Sequence, residues 1–193
     1  MLFRSIVVGT AVYTSAFTPP TTPLQPIAGT SLLTCQSPNF VDNSANNSTI
    51  TVSGTPTVQK FGPFAGTTLP TPYYGAYFDG TGDYLSLSDN ANLRMGSGDF
   101  TIEFWIYYNS ISSYRSPLSK GYTSAGDLLF QTGNGNGVMT IWASGSAIIT
   151  ESTGAVINQW YHYALVRNGS TVTLYRDGQS RGSATSTVNF NST

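Results

Sequence analysis

Few side chains in this 193-residue chain could carry acid–base or metal chemistry: two glutamates, Glu103 and Glu151, one histidine, His162, and a set of loop aspartates. Retaining glycoside hydrolysis needs two carboxyl groups about 5 Å apart across a groove. Glu103 lies in FTIEFWIYY, residues 100–108, and Glu151 lies on a separate segment, so no two acids alternate along one strand. His162 sits in Trp160-x-His162-x-Ala164-x-Val166, and no Ser-His-Asp or Cys-His arrangement can be argued from its surroundings. It reads as a packed histidine satisfied by hydrogen bonds. No catalytic residue is expected, and the chain is read as non-enzymatic.

Metal and sugar chemistry have better candidates. Asp79, Asp83, Asp89 and Asp99 lie in loops close in sequence, and calcium takes six to eight oxygen ligands. Asp79 and Asp83 are the candidate ligands, and calcium is the one cofactor considered. The competing reading is that an Asp beside Gly in a turn bonds its own backbone. Sugars are held by aromatic faces and neighbouring polar groups. Trp105, Tyr107 and Glu103 share one face of their strand, opposite Phe100, Ile102, Phe104 and Ile106. They are the candidate carbohydrate-binding residues if their face is an open groove. The same face could instead be covered by the loop at 55–75, by the loop at 109–126, or by a subunit. Trp142 and Trp160 are expected in the core.

These residues need strands to position them. Period-two alternation or runs of strand formers mark segments at 6–13, 31–35, 48–53, 84–87, 100–108, 127–131, 138–143, 147–151, 160–168, 171–176 and 179–185. Short strands are also expected around 58–61 and 117–120, and a short helical turn at 90–95. Gly- and Asn-rich turns separate them, among them Asp79-Gly80, Gly133–Gly137 and Asp177-Gly178. No amphipathic helix interrupts the pattern, which predicts an antiparallel sandwich or barrel. Residues 18–30 carry Pro19, Pro20, Pro23 and Pro26, so a stiff arm is expected there. The long loop at 55–72 holds four more prolines.

Composition limits the partners. Only 9% of residues are charged and the net charge is −1, with no basic stripe for nucleic acid. A weakly charged, Ser/Thr/Asn-rich surface suits a protein that associates with others. The lone Cys35 cannot form an internal disulfide and reads as a small buried residue. No stretch is long enough to span a membrane. Asn-x-Ser/Thr triplets at Asn46, Asn47, Asn168 and Asn191 match glycosylation acceptors, as expected by chance in such a composition.

YFDGTGDYLSLSDNANLRMGSGDFTIEFWIYY at 77–108 and WYHYALVRNGSTVTLYRDGQSRG at 160–182 together resemble the laminin-G-like, concanavalin A-like jelly-roll family. The resemblance implies an all-β, antiparallel jelly-roll sandwich over residues 28–193, preceded by a strand and Pro-rich arm at 1–27. It also implies that RSIVVGTAVYTSAFTPP, residues 4–20, is similar to the family's closing strand and connector, so that residues 28–193 lack a final strand of their own. The N-terminal strand would then close its own sandwich, end a preceding repeat, or complete a neighbouring subunit. The implied role is a structural or adhesive module, extracellular, of a phage virion appendage or bacterial surface assembly. Its partners would be further copies of itself or other assembly proteins, met through the N-terminal arm. A carbohydrate-binding module is the alternative and a glycoside hydrolase the least favoured.

Overall fold

The computed structural model describes residues 2–64 and 74–191. In chain order its strands are β1 (Leu2–Val8), β2 (Thr30–Thr34), β3 (Thr51–Ser53), β4 (Thr57–Gln59), β5 (Gly75–Tyr77), β6 (Tyr84–Ser86) and β7 (Phe100–Tyr107). There follow β8 (Arg115–Lys120), β9 (Leu128–Thr132), β10 (Met139–Ala143), β11 (Ser146–Thr150), β12 (Trp160–Asn168), β13 (Thr171–Arg176) and β14 (Gln179–Thr185). One short 3-10 turn, Ala91–Leu93, is capped by the Asn90 side chain accepting from the Asn92 N–H. The fold is thus all-β and antiparallel, as the sequence predicts. Pro70 and Pro72 of the predicted long loop lie outside the described residues.

The main sheet runs β14-β13-β12-β7-β1-β5-β4, with β2 also paired to β1. The second runs β11-β10-β9-β8, and β3 and β6 form a separate ribbon. Strand β7 is central and its alternation is realised in full. Phe100, Ile102 and Phe104 are fully buried between the sheets, and Ile106 is nearly so. Phe104 packs against Phe130 of the second sheet and Tyr163 of β12, with ring centroids 5.4 and 5.7 Å apart. Burial on this scale stabilises by roughly 1.5–3 kcal/mol per large apolar side chain.

Strand β1 pairs with β7 from Leu2 opposite Ile106 to Val8 opposite Phe100, and with β2 on its other side. The N-terminal strand therefore sits in the main sheet of its own chain. It ends at Val8, five residues before the expected Tyr13. Gly9 takes φ +87°, which turns the chain out of the sheet plane. Residues 10–17 then cross the outer face of the main sheet as a strap. The two half-buried tryptophans expected in the core lie outside it: Trp142 packs on Tyr122, and Trp160 on Phe61 and Tyr107.

Two polar clusters fix the loops. Asp42 is buried beneath the loop at 39–48, where its carboxylate accepts the backbone N–H of Leu33, Ser44 and Ser48 at 3.1, 2.9 and 2.9 Å. Burial pushes this carboxyl up, but those N–H groups outweigh it and hold it below the ordinary carboxylate range. Between the sheets, Glu151 accepts the Met139 N–H at 2.8 Å and the Tyr163 hydroxyl at 3.0 Å, and its other oxygen lies 2.9 Å from Arg176 Nη1. Burial pushes the Glu151 carboxyl and the Tyr163 hydroxyl up.

Removing one partner of a buried pair strands the other charge, which costs about 3–5 kcal/mol, whereas apolar replacement of both is near neutral. Glu151→Ala should lower the unfolding free energy measured by denaturant titration by that amount, and Glu151→Leu combined with Arg176→Met should recover most of the loss. Asp42 gives a pH signature. Its folded-state pKa is depressed, so its contribution is present above the unfolded value of about 4 and is lost as pH falls through the lower folded value. Asp42→Asn should be less stable than wild type at pH 7, with the gap narrowing below about pH 4 in urea titrations.

Candidate functional site

The outer face of β7 carries Thr101, Glu103, Trp105 and Tyr107, beside His162, Ala164 and Val166 of β12 and Tyr175 of β13. Register sets Trp105 opposite His162 and Glu103 opposite Ala164. This is the face that the sequence leaves as either a sugar groove or a covered surface, and the chain covers the part around Glu103 and Trp105. The strap is pinned at both ends of its crossing. The Val12 N–H donates to Thr101 Oγ1 at 2.8 Å, and that hydroxyl donates to the Thr10 carbonyl at 3.0 Å. Farther on, the Phe17 N–H donates to the Gly178 carbonyl at 3.0 Å, at the tip of the β13–β14 hairpin. A Cβ on Gly178 would stand 1.7 Å from the Phe17 carbonyl oxygen, so that approach requires glycine.

Between these pins, Tyr13 and Phe17 stack with ring centroids 3.6 Å apart, and both meet His162 edge-on. Glu103 Oε2 accepts the Tyr13 hydroxyl at 2.8 Å and lies 3.1 Å from His162 Nε2. Burial, then the Glu103 charge, drives the Tyr13 hydroxyl far above its ordinary range, so it stays a donor. His162 is completely buried, as its packed reading predicts, although among the described residues its Nδ1 finds no hydrogen-bond partner, and Glu103 is nearly buried. At the far end of the face, Trp105 packs with Phe64 and His162, and Tyr107 with Phe61 and Trp160. The three predicted sugar-binding residues are neighbours on one strand, yet Glu103 and Trp105 are packed beneath the chain itself and form no open groove. The covering segments are the strap and the loop carrying Phe61 and Phe64. The sequence reading foresaw the loop and missed the strap.

The predicted calcium ligands hold a turn. Asp79 Oδ1 accepts the Thr81 N–H at 2.6 Å. Asp83 uses both oxygens, one for the Thr55 N–H at 2.7 Å and one for the Asp79 N–H at 3.1 Å. Asp89 pairs with Arg94, and Asp99 accepts the Gly169 N–H at 2.7 Å. Among the described residues, no three potential ligand side chains gather around a common point. The carboxylates of Asp79 and Asp83 are thus engaged with backbone N–H groups of this loop.

A different site opens elsewhere. A cleft of about 820 Å³ lies between residues 77–95 and the edge strand β8, with Ile6, Ile102 and Ile106 beneath it. Tyr84 and Tyr114 stand on its walls, 56% and 62% exposed. Among the described residues neither ring packs against another ring, unlike exposed Tyr122 and Phe61. Asn109 and Ser116 add exposed polar groups. Sequence reasoning placed Tyr84 in a strand and assigned no role to Tyr114. Lone tyrosines beside turn residues carry no periodic signal, so neither could be singled out.

A family model of the concanavalin A-like lectin/glucanases superfamily, of the laminin-G type, matches residues 79–193. The chain belongs to that superfamily. Neither the curated proteins nor the solved structures compared with it contain a match. Both glutamates are used internally: Glu103 sits under the strap and Glu151 between the sheets. Among the described residues no helix is long and apolar enough to cross a membrane.

If the strap is a fixed part of the sandwich, losing its contacts should cost stability. Tyr13→Phe should destabilise by about 1 kcal/mol through the lost hydrogen bond, and Phe17→Ala by more through lost packing. Thermal denaturation of both variants checks this. Unchanged midpoints would mean the strap does not rest on the sheet in solution.

Proposed function

We propose that this chain is a non-enzymatic structural and adhesive module, extracellular, of a phage virion appendage or a bacterial surface assembly. The observation that carries the reading is the commitment of both glutamates to internal pairs, Glu103 with Tyr13 and His162, Glu151 with Tyr163 and Arg176. Neither glutamate is left facing solvent to serve as one of the two carboxyl groups that glycoside hydrolysis needs across a groove. The weakly charged surface supports the assembly side of the reading, because little electrostatic repulsion keeps copies apart. Partners in this reading are further copies of the chain and other proteins of the assembly. A glycan-binding role would need a site other than the face of Glu103 and Trp105, which the chain covers.

Two measurements test it. Incubation with a panel of soluble polysaccharides should release no reducing ends. Light scattering should show mass rising with protein concentration. Sugar release that disappears in Glu103→Gln or Glu151→Gln would overturn the non-enzymatic reading, and a strict monomer at every concentration would overturn the assembly reading.

A further inference from the structure

Three Asn-Gly steps occur in the chain, at Asn134-Gly135, Asn136-Gly137 and Asn168-Gly169. Such a step can react with itself. The glycine nitrogen attacks the asparagine Cγ across one peptide unit, and glycine has no Cβ to obstruct the approach. All three asparagines are exposed, so access to solvent does not separate them. Their hydrogen bonds do. The Gly135 N–H donates to the Ile111 carbonyl at 2.7 Å, and the Gly169 N–H donates to Asp99 Oδ1 at 2.7 Å. At both of these steps an acceptor holds the attacking nitrogen and its proton. Among the described residues, the Gly137 N–H meets no acceptor in good hydrogen-bond geometry.

The Asn136 carboxamide is also set for attack. Its Oδ1 accepts the Val138 N–H at 3.0 Å. A bond to the N–H two residues on folds the carboxamide back over the peptide between them, which carries the Gly137 nitrogen. The same N–H points at the oxygen on which negative charge develops as Cγ becomes tetrahedral. Gly133 makes room for this fold, because a Cβ there would stand 2.3 Å from Asn136 Oδ1. Asn90 makes the equivalent bond, to the Asn92 N–H at 2.9 Å, but the residue that follows it is Ala91, whose Cβ crowds the attack.

We propose that Asn136 is a site of self-modification. The Gly137 nitrogen bonds to Asn136 Cγ, the Cγ–Nδ2 bond breaks, and the proton of that nitrogen leaves with the amide as ammonia. Water then opens the cyclic imide at either carbonyl carbon, adding its hydroxyl to the carbon and its proton to the nitrogen, and leaves aspartate or isoaspartate. Aspartate keeps the backbone as it was. Isoaspartate adds a backbone methylene where the chain is closely packed. A Cβ on Gly154 would stand 1.8 Å from the Asn136 carbonyl oxygen, and the Ala155 N–H donates to the Gly137 carbonyl at 2.9 Å. The isoaspartate product therefore releases the loop at 152–158 from the turn between β9 and β10. The reaction runs one way, so it acts as a slow clock on this contact. It does not depend on the assembly reading above.

Peptide mapping by mass spectrometry tests this on the folded chain, aged under mildly alkaline conditions that favour deprotonation of the attacking nitrogen. Asn136 should lose its amide at least about tenfold faster than Asn134 or Asn168. In denaturant, where the bonds of Gly135 and Gly169 are gone, the three rates should converge. Asn136→Gln, whose longer side chain closes a less favourable ring, should keep its amide in the folded chain. Hydrogen exchange at the Ala155 N–H should quicken in aged wild type and stay constant in Asn136→Gln. The proposal is overturned if Asn134 or Asn168 reacts as fast as Asn136 in the folded chain, or if folded Asn136 keeps its amide under conditions in which the denatured chain loses all three. Unchanged exchange at Ala155 in protein carrying isoaspartate would overturn the release of the loop.

Discussion

A carboxylate at position 103, in the middle of the central strand, constrains much of what lies on the outer face. Burying an ionised group without partners costs many kcal/mol, so Glu103 must find donors or leave the sheet. Its strand neighbours cannot supply them, because Phe104 and Ile102 point into the core. One donor comes from β12, whose register brings His162 within 3.1 Å. The other comes from Tyr13, which reaches Glu103 only because the chain leaves the sheet at Gly9 and doubles back over it. The strap, the hairpin tip that anchors it at Gly178 and the choice of glycine there all follow from covering this face. A buried acid used in this way fixes how elements cross more than it adds net stability.

How far this was legible in the sequence differs element by element. The core row of β7 was plain, because Phe100, Ile102, Phe104 and Ile106 recur with period two and nothing else explains four large apolar residues on one side. Strands β12, β13 and β14 were placed to the residue, since Asn168-Gly169 and Asp177-Gly178 leave the chain little choice but to turn. The strap was hidden for a physical reason. Residues 6–13 alternate well enough to be one strand, and a single glycine decides whether they are. A glycine in a strand pattern marks either a tolerated residue or an exit, and only the tertiary pairing of Val8 with Gly29 settles which.

The candidate site shows the same limit more sharply. Periodicity correctly grouped Glu103, Trp105 and Tyr107 on one face, but a second face is equally periodic whether it meets water, ligand or chain. What covers it comes from residues about ninety positions away, in the case of Tyr13 and Glu103. The loop aspartates were ambiguous in a different way. An Asp that binds a cation and an Asp that closes its own turn occupy the same sequence context, and the hydrogen bonds of Asp79 and Asp83 show the turn role directly. Arg167 was unremarked, yet its guanidinium donates to the carbonyls of Gly169, Ser186 and Val188 and pins the tail that brings Phe190 onto Phe100.

These internal commitments also decide where recognition is possible. The inner faces of this sandwich form the core, and the strap covers part of the main sheet's outer face. Margins, where strands end and turns project, are the places this covering leaves open beside the main sheet. The described structure has such a margin in the cleft beside β8. It has another in the turn at Pro26–Ile27, where the Val8 N–H donates to the Gly29 carbonyl. Both owe their shape to the main sheet, through β7 under the cleft and β1 under the turn. Changes that loosen the pairing of β1 with β7 would therefore disturb both margins together, while changes within either margin should leave the sandwich intact.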